Sequence, residues 1–101
     1  MRLINLNDAM KDDLQNPEFA AAYLEECLAF NEPEVFLAAL RDVVQANMPV
    51  STMAKEIEVD RARLYTSLSE NGNPGYQTIT AILNRLGLRL SVVPAEHQKA
   101  A

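Results

Sequence analysis

A short segment near the middle of the chain combines side chains of the kinds that read DNA bases. Residues 61–68 have the spacing of a helix, with the apolar Leu64 and Leu68 four apart. Arginine can bond both acceptors of a guanine, and threonine can hydrogen-bond a base edge or meet a thymine methyl group. Tyrosine can contact a base or a phosphate. The outward face of this helix therefore gives four candidate contacts to base edges: Arg61, Ala62, Tyr65 and Thr66.

Five further residues around that helix are candidates for contacts to the DNA backbone: Arg63, Thr52, Lys55, Asn73 and Gln77. Cationic and polar side chains hold phosphates, and Gln77 also lies at the start of a predicted helix, where backbone amides attract anions. For Lys55 and Arg63 the alternative is an ordinary solvated surface. Arg89, in contrast, is expected to lie exposed on a strand and not to contact phosphate.

Two short helices joined by a tight turn are the elements that would position these residues. The first helix, at 51–57, places Met53 and Ala54 on one face, and Asp60 is the natural cap of the second. Ala54 is small enough for two steeply crossing helices to touch. This order predicts a helix-turn-helix at 50–69, whose second helix presents its first turns to the major groove. The alternative is a generic small helical bundle.

Caps and apolar spacing predict the remaining helices. Asn16 as cap and Pro17 at the first position begin a helix that ends near Phe30. Asn31 as cap, with Glu34 three residues later, begins the next helix. That helix is expected to end near Asn47, and the second helix of the helix-turn-helix at a left-handed Gly72. A last helix is expected from Tyr76 to Gly87.

Residues 88–92 alternate apolar and polar side chains, which predicts one short strand. A lone strand needs a partner, and the economical one is the same strand of a second copy across a two-fold axis, which makes a homodimer. The predicted fold is all-α: a five-helix domain at 1–94, with an N-terminal extension and helix at 1–30, this strand, and a disordered tail at 95–101. Residues 7–10 are expected to open a short helical turn.

The net charge of −5 hides an uneven distribution along the chain. Residues 1–50 hold three basic and nine acidic residues (−6), whereas 51–101 hold six basic and five acidic ones (+1). Between Arg61 and Arg89 there are four arginines and one acid, Glu70. The basic part thus coincides with the predicted helix-turn-helix, as a phosphate-contacting surface requires. The acidic half is expected to face away from DNA or toward a basic partner, the alternative being a solvated surface.

Catalysis has no support in the sequence. One cysteine, Cys27, and one histidine, His97, cannot form a nucleophile–base set with scattered serines. Zinc-type ligand clusters and glycine-rich phosphate loops are missing. Cys27 lies on the apolar side of its helix and is predicted to be a buried structural thiol. With no export leader and no apolar run near the roughly 20 residues of a membrane span, we expect a cytoplasmic binding protein without cofactors, not an enzyme.

Residues 48–88 resemble the helix-turn-helix of phage Cro and repressor proteins. More specifically, the chain from about residue 8 to residue 93 resembles the addiction-module antidote family, a branch of the HigA-like antitoxins of bacteria and prophages. The resemblance lies in the order of five phrases: FAAAYLEECL at 19–28, NEPEVFLAALRDV at 31–43, LY at 64–65, LSENGNP at 68–74 and LGLRL at 86–90.

This resemblance implies an antitoxin that is encoded beside a small basic toxin of the RelE/ParE-like class. Such a protein neutralises the toxin by binding it and represses the shared operon by binding operator DNA. One departure concerns Glu58, which occupies a turn position that usually holds a left-handed glycine. That conformation costs a non-glycine residue roughly 1 kcal/mol or more. The turn is therefore expected to be either strained or remodelled. Gly75 likewise occupies a helix-cap position where serine is more usual.

Three hypotheses for the function follow. The first is a DNA-binding antitoxin, which the acidic N-terminal extension favours. The second is a stand-alone prophage-type repressor whose N-terminal helices only complete the core. The third is a protein-interaction module without DNA binding, for which Glu58 in the turn is the warning sign.

Overall fold

The computed structural model describes residues 10–95. Every regular element in that range is a helix, so the predicted all-α class is confirmed. The helices are α1 (Lys11–Leu14), α2 (Pro17–Leu28), α3 (Pro33–Asn47), α4 (Val50–Glu56), α5 (Arg61–Ser67) and α6 (Tyr76–Arg85). The predicted helical turn at 7–10 and tail at 95–101 lie outside the described residues, apart from Met10 and Ala95. No helix in the described range is long and apolar enough to cross a membrane.

The long helix α3 lies at the centre of the core. Leu40, Val43 and Val44 are completely buried on one of its faces, because apolar residues three and four apart align on a helix. Helices α1 and α2 both pack on α3, and α4 packs on it as well. Ile82 and Leu83 of α6 are buried in the same core. The remaining helices are thus arranged around α3.

The described part of the N-terminal extension contains a short helix, α1, that the sequence did not predict. Leu14 in α1 is fully buried, and two side-chain amides form hydrogen bonds between the end of α1 and the end of α3. The Nε2 atom of Gln15 donates to the Ala46 carbonyl at 2.9 Å, and the Nδ2 atom of Asn47 donates to the Leu14 carbonyl at 3.2 Å. A helix of four residues is too short for apolar periodicity to reveal, which explains why five helices were predicted and six are found within residues 10–95.

The predicted caps of α2 and α3 had different outcomes. The side chain of Asn16 accepts a hydrogen bond from the Glu18 amide at 2.8 Å, which confirms the start of α2. The prediction for α3 was wrong, because Glu32 is the cap and Asn31 instead has a left-handed φ of 59°. Since proline favours the first helical position, Pro33 sets the cap at the residue before it.

The predicted strand at 88–92 is not found, and this segment has no regular structure in the single chain. The Leu88 amide donates to the Leu83 carbonyl of α6 at 2.7 Å, which satisfies one of the free carbonyls at the end of that helix. From residue 89 to residue 95, no backbone hydrogen bond joins the segment to another described residue. A strand requires a hydrogen-bonded neighbour, and the described part of the chain offers none.

Candidate nucleic-acid interface

Helices α4 and α5 pack directly on each other, and their buried faces are those that the sequence predicts. Met53 and Ala54 of α4 are buried, as are Leu64 of α5 and Leu68 at its end. An alanine at this contact allows the two backbones to approach closely. The pair therefore holds the outer side of α5 in a fixed position on the domain.

The turn between α4 and α5 keeps a conformation that glycine usually adopts. Glu58 has a φ of 60°, which is the strained of the two outcomes that the sequence left open. Its amide donates to the Lys55 carbonyl at 3.2 Å, and the Val59 amide donates to the Ala54 carbonyl at 2.9 Å. These two bonds form the Schellman pattern that ends helices with a left-handed residue. The turn is therefore strained at Glu58 and has not been remodelled.

Helix α5 presents its predicted site residues to solvent. Its start is capped by Asp60, whose Oδ2 accepts from the Arg63 amide at 3.0 Å. Because successive helix residues are about 100° apart, Ala62 and Thr66 lie opposite the buried Leu64. The five candidate residues of this helix are all exposed: Arg61, Ala62, Arg63, Tyr65 and Thr66. None of the residues in α5 is acidic.

Two shallow grooves flank this helix, and they bring together some of the predicted contacts. The first, of about 400 Å³, is lined by Ala62, Arg63, Thr66 and Asn73, among others. The second, of about 430 Å³, lies between α5 and the start of α6 and is lined by Arg63 and Asn73 again. The other five candidates line neither groove: Thr52, Lys55, Arg61, Tyr65 and Gln77.

The prediction that a left-handed Gly72 ends α5 is wrong. Gly72 does not have a left-handed conformation, and Gly87 is the only glycine that does in the described range. A Cβ atom on Gly72 would lie 2.0 Å from the Ser67 carbonyl oxygen and 2.6 Å from that of Thr66. The loop after α5 can therefore fold back against the end of the helix only because this residue has no side chain.

The start of α6 leaves its amide groups without a side-chain acceptor. Its cap is Gly75, as the sequence predicted, and no cap side chain accepts a hydrogen bond from the amides of the first turn. Gln77 lies exposed in that turn. Beside it is Tyr76, which is 72% exposed and was not among the predicted contacts. An uncapped helix start with amide and phenol side chains is suited to hold an anionic oxygen.

Two long-range contacts fix the ends of this region, and neither has a sequence signal. The guanidinium of Arg41 in α3 donates to the Leu68 carbonyl at the end of α5. Arg85 of α6 pairs with the Glu56 carboxylate of α4. The partners are 27 and 29 residues apart, so no periodicity connects them. Because Arg85 is paired with Glu56 and Arg41 donates to a backbone carbonyl, the other cations that α4 and α5 contribute are Lys55, Arg61 and Arg63.

Cys27 is half-buried on α2 and does not resemble a reactive thiol. Burial raises its pKa, as do the negative charges of Asp42 and Glu26, so the thiol stays protonated. On the same face the Tyr23 hydroxyl donates to Oδ2 of Asp42 at 3.0 Å. Burial and this hydrogen bond raise the pKa of Tyr23 to about 12. Both groups thus belong to the packing between α2 and α3.

Two comparisons with known proteins each match most of the chain. Residues 5–94 match the profile of a family described as "Probable addiction module antidote protein". The chain is also 32% identical over 81 residues to an "uncharacterized protein" of Haemophilus influenzae, covering 80% of this chain and 82% of that relative. No solved structure matches the chain at a significant level.

Proposed function

The chain belongs to the family of probable addiction module antidote proteins, and we propose that it is an antitoxin that also binds DNA through α5. An antidote implies a toxin partner, and the proposed one is a small basic toxin of the RelE/ParE-like class. The protein acts by binding in the cytoplasm, as a homodimer, and not as an enzyme. On DNA it represses the operon that encodes it.

The observation that supports DNA binding best is the exposed side of α5. Two arginines, a threonine and a 52% exposed Tyr65 project from a helix without acidic residues. Such a helix can enter the major groove, where arginine and threonine read base edges. Lys55 on α4 and the uncapped start of α6 lie on the neighbouring elements and would hold phosphates on either side.

The turn at Glu58 keeps intact the helix pair on which the proposed DNA reading depends. Glu58 has the left-handed φ, and both hydrogen bonds of the turn are made. The relative position of α4 and α5 is thus kept at a cost in stability. Because glycine would give the same turn without that cost, the strain itself favours neither DNA binding nor a protein-interaction module.

The homodimer is proposed from the segment that follows α6. Val92 and Val93 are apolar yet 96% and 71% exposed, and the backbone around them has no described partner. Pairing this segment with its copy across a two-fold axis would cover both. A dimer with two α5 helices reads a palindromic operator whose half-sites are about 34–36 Å apart.

Binding to the DNA upstream of the gene tests the DNA-reading part of the proposal. Fluorescence anisotropy at several salt concentrations compares this DNA with a random duplex of equal length. Arg61→Ala should lose selectivity by roughly tenfold or more, because a lost bidentate base contact costs about 1–3 kcal/mol. Lys55→Ala should weaken binding to both duplexes and lower the salt slope by about 1. Equal binding of wild type to both duplexes would refute the proposal.

Co-expression with the adjacent small reading frame tests the antitoxin part. Growth arrest by that product alone, relieved by this chain, is the expected result. Arg61→Ala should relieve the arrest as wild type does, because α5 reads DNA and not the toxin. Selective DNA binding without any relief of growth would instead identify a stand-alone repressor.

A further inference from the structure

An apolar groove lies on a part of the molecule that the proposed DNA surface does not use. It has a volume of about 340 Å³ and is lined by α2, α3, α6 and the segment after α6. Its apolar walls include Leu24, Leu28, Phe36, Leu83 and Leu90. No residue of α4 or α5 lines it. A ligand in this groove would therefore leave the outer side of α5 accessible.

The groove continues into a second depression and is incompletely covered. Leu28 and Phe36 line both the groove and an adjoining pocket of about 260 Å³. Leu28 is 49% exposed, Leu90 is 41% exposed, and the neighbouring Phe30 is 64% exposed. Each of these side chains retains apolar surface that a partner could still remove from water.

The chain segment that contains α2 and the start of α3, both of which line the groove, is strongly acidic. Residues 10–37 hold seven carboxylates and one lysine, a balance of −6. Two of these carboxylates lie at the groove itself, since Glu25 lines the main part and Glu32 the adjoining pocket. Arg89 is the one cation among the lining residues of the two. The charge therefore selects a cationic partner.

We propose that this groove is the toxin-binding site, and that it takes a basic segment of the partner with an apolar anchor. The anchor fills the space between Leu28, Phe36 and Leu90, while flanking lysines or arginines meet Glu25 and Glu32. The assignment rests on the proposed antitoxin function and adds the surface that performs it.

The same charges argue against a second copy of the chain in the groove. A two-fold contact places the same patch of each copy against the other. Glu25 and Glu32 of each copy would then face the same carboxylates of the other, with Arg89 as the one cation in each lining. The dimer is instead assigned to Val92 and Val93 after α6, which do not line the groove.

Isothermal titration of full-length protein with the purified product of the adjacent reading frame tests this site. Leu28→Gln removes apolar surface without changing charge, and Glu25→Lys reverses a charge at the rim. The matched control is Glu18→Lys, the same charge reversal on the same face of α2 about two turns earlier, at a residue outside the groove.

Leu28→Gln and Glu25→Lys should each weaken binding about tenfold, which corresponds to about 1.4 kcal/mol. Glu18→Lys should stay within about threefold, because salt at 0.15 M screens charges beyond about 8 Å. Binding of upstream DNA by all three variants serves as the check that they are folded. Undiminished toxin binding by both groove variants would overturn the site and leave the antitoxin function standing.

Two other outcomes also overturn the site. Equal weakening by Glu18→Lys and Glu25→Lys would show a diffuse charge effect without a defined rim. Dissociation of the homodimer by Leu28→Gln in sedimentation experiments would show that a second copy occupies the groove. If wild type itself does not bind the product, the antitoxin function fails as well, which the growth assay reports independently.

Discussion

Replacing Glu58 by glycine should stabilise the protein while leaving the fold unchanged. Glu58 has a φ of 60° in the turn between α4 and α5, where a Cβ atom costs roughly 1–2 kcal/mol. Its carboxylate is also next to the C-terminal end of α4, which adds about 0.3 kcal/mol of unfavourable dipole interaction at an exposed site. Glycine removes both, but it loses roughly 0.5–1 kcal/mol through the freedom of the unfolded chain. The net gain is about 1 kcal/mol.

Thermal unfolding followed by circular dichroism measures this gain. A stabilisation of about 1 kcal/mol should raise Tm by roughly 4–8 °C for a domain of this size. Glu58→Ala is the control that separates the two contributions, because it removes the charge and keeps the Cβ atom. We expect it to recover only about 0.3 kcal/mol.

Gly87 offers the reverse experiment in the same chain. It has a φ of 84° at the end of α6, and an added Cβ atom would meet nothing closer than a Pro17 side-chain atom at 3.9 Å. Gly87→Ala should therefore cost about 1 kcal/mol from backbone strain alone. If Glu58→Gly is no more stable than Glu58→Ala, while Gly87→Ala loses stability, the strain assigned to the turn is refuted.

Three further predictions concern other parts of the fold. Gly75→Ser should stabilise α6 by a few tenths of a kcal/mol, since serine caps a helix slightly better than glycine and an added Cβ meets nothing within 4 Å. Gly75→Ala should destabilise α6, because alanine caps poorly. Denaturant titration measures the sign of each change in the free energy of unfolding. Gly72→Ala should cost about 1–3 kcal/mol, because its Cβ would overlap the Ser67 carbonyl, and DNA binding should fall with it; an unchanged urea midpoint would contradict this. Tyr23→Phe should lose about 1 kcal/mol at pH 7 with its hydrogen bond to Asp42. Because the folded pKa of Tyr23 is raised from 10.0 to about 12, wild type should lose this advantage as the pH rises from 10 through 12, and an advantage that persists at pH 12 would contradict the shift.

Local features of the chain were the ones that sequence could predict. The caps at Asn16 and Asp60 each depend on a few neighbouring residues. The buried faces of α4 and α5 follow from spacing within a single helix. In each case the physical cause acts within about one turn of helix, so a short window of sequence contains it.

The features that sequence missed depend on residues far apart in the chain. Arg41 reaches the Leu68 carbonyl across 27 positions, and α1 is ordered by amide contacts to α3 across 31 or more positions. Gly72 looked like a left-handed cap, but its role comes from close contact with the end of α5. The strand at 88–92 was expected from alternation alone, and alternation cannot supply a hydrogen-bonding neighbour.

Helix α3 supports both proposed binding surfaces. Substitutions can therefore separate the two proposed functions only when they change residues on those surfaces. Phe36 of α3 lines the groove proposed for the toxin, whereas Arg41 of α3 holds the end of the helix proposed to read DNA. Two residues after Arg41, on the same helix, lies the fully buried Val43. Val43→Ala would leave a cavity in the core that both surfaces share and should cost about 1–3 kcal/mol out of a total stability of about 5–15 kcal/mol. DNA and toxin binding should then decline together as the folded fraction falls on warming. Loss of one activity alone in this variant would mean that the two surfaces do not rest on one cooperative core.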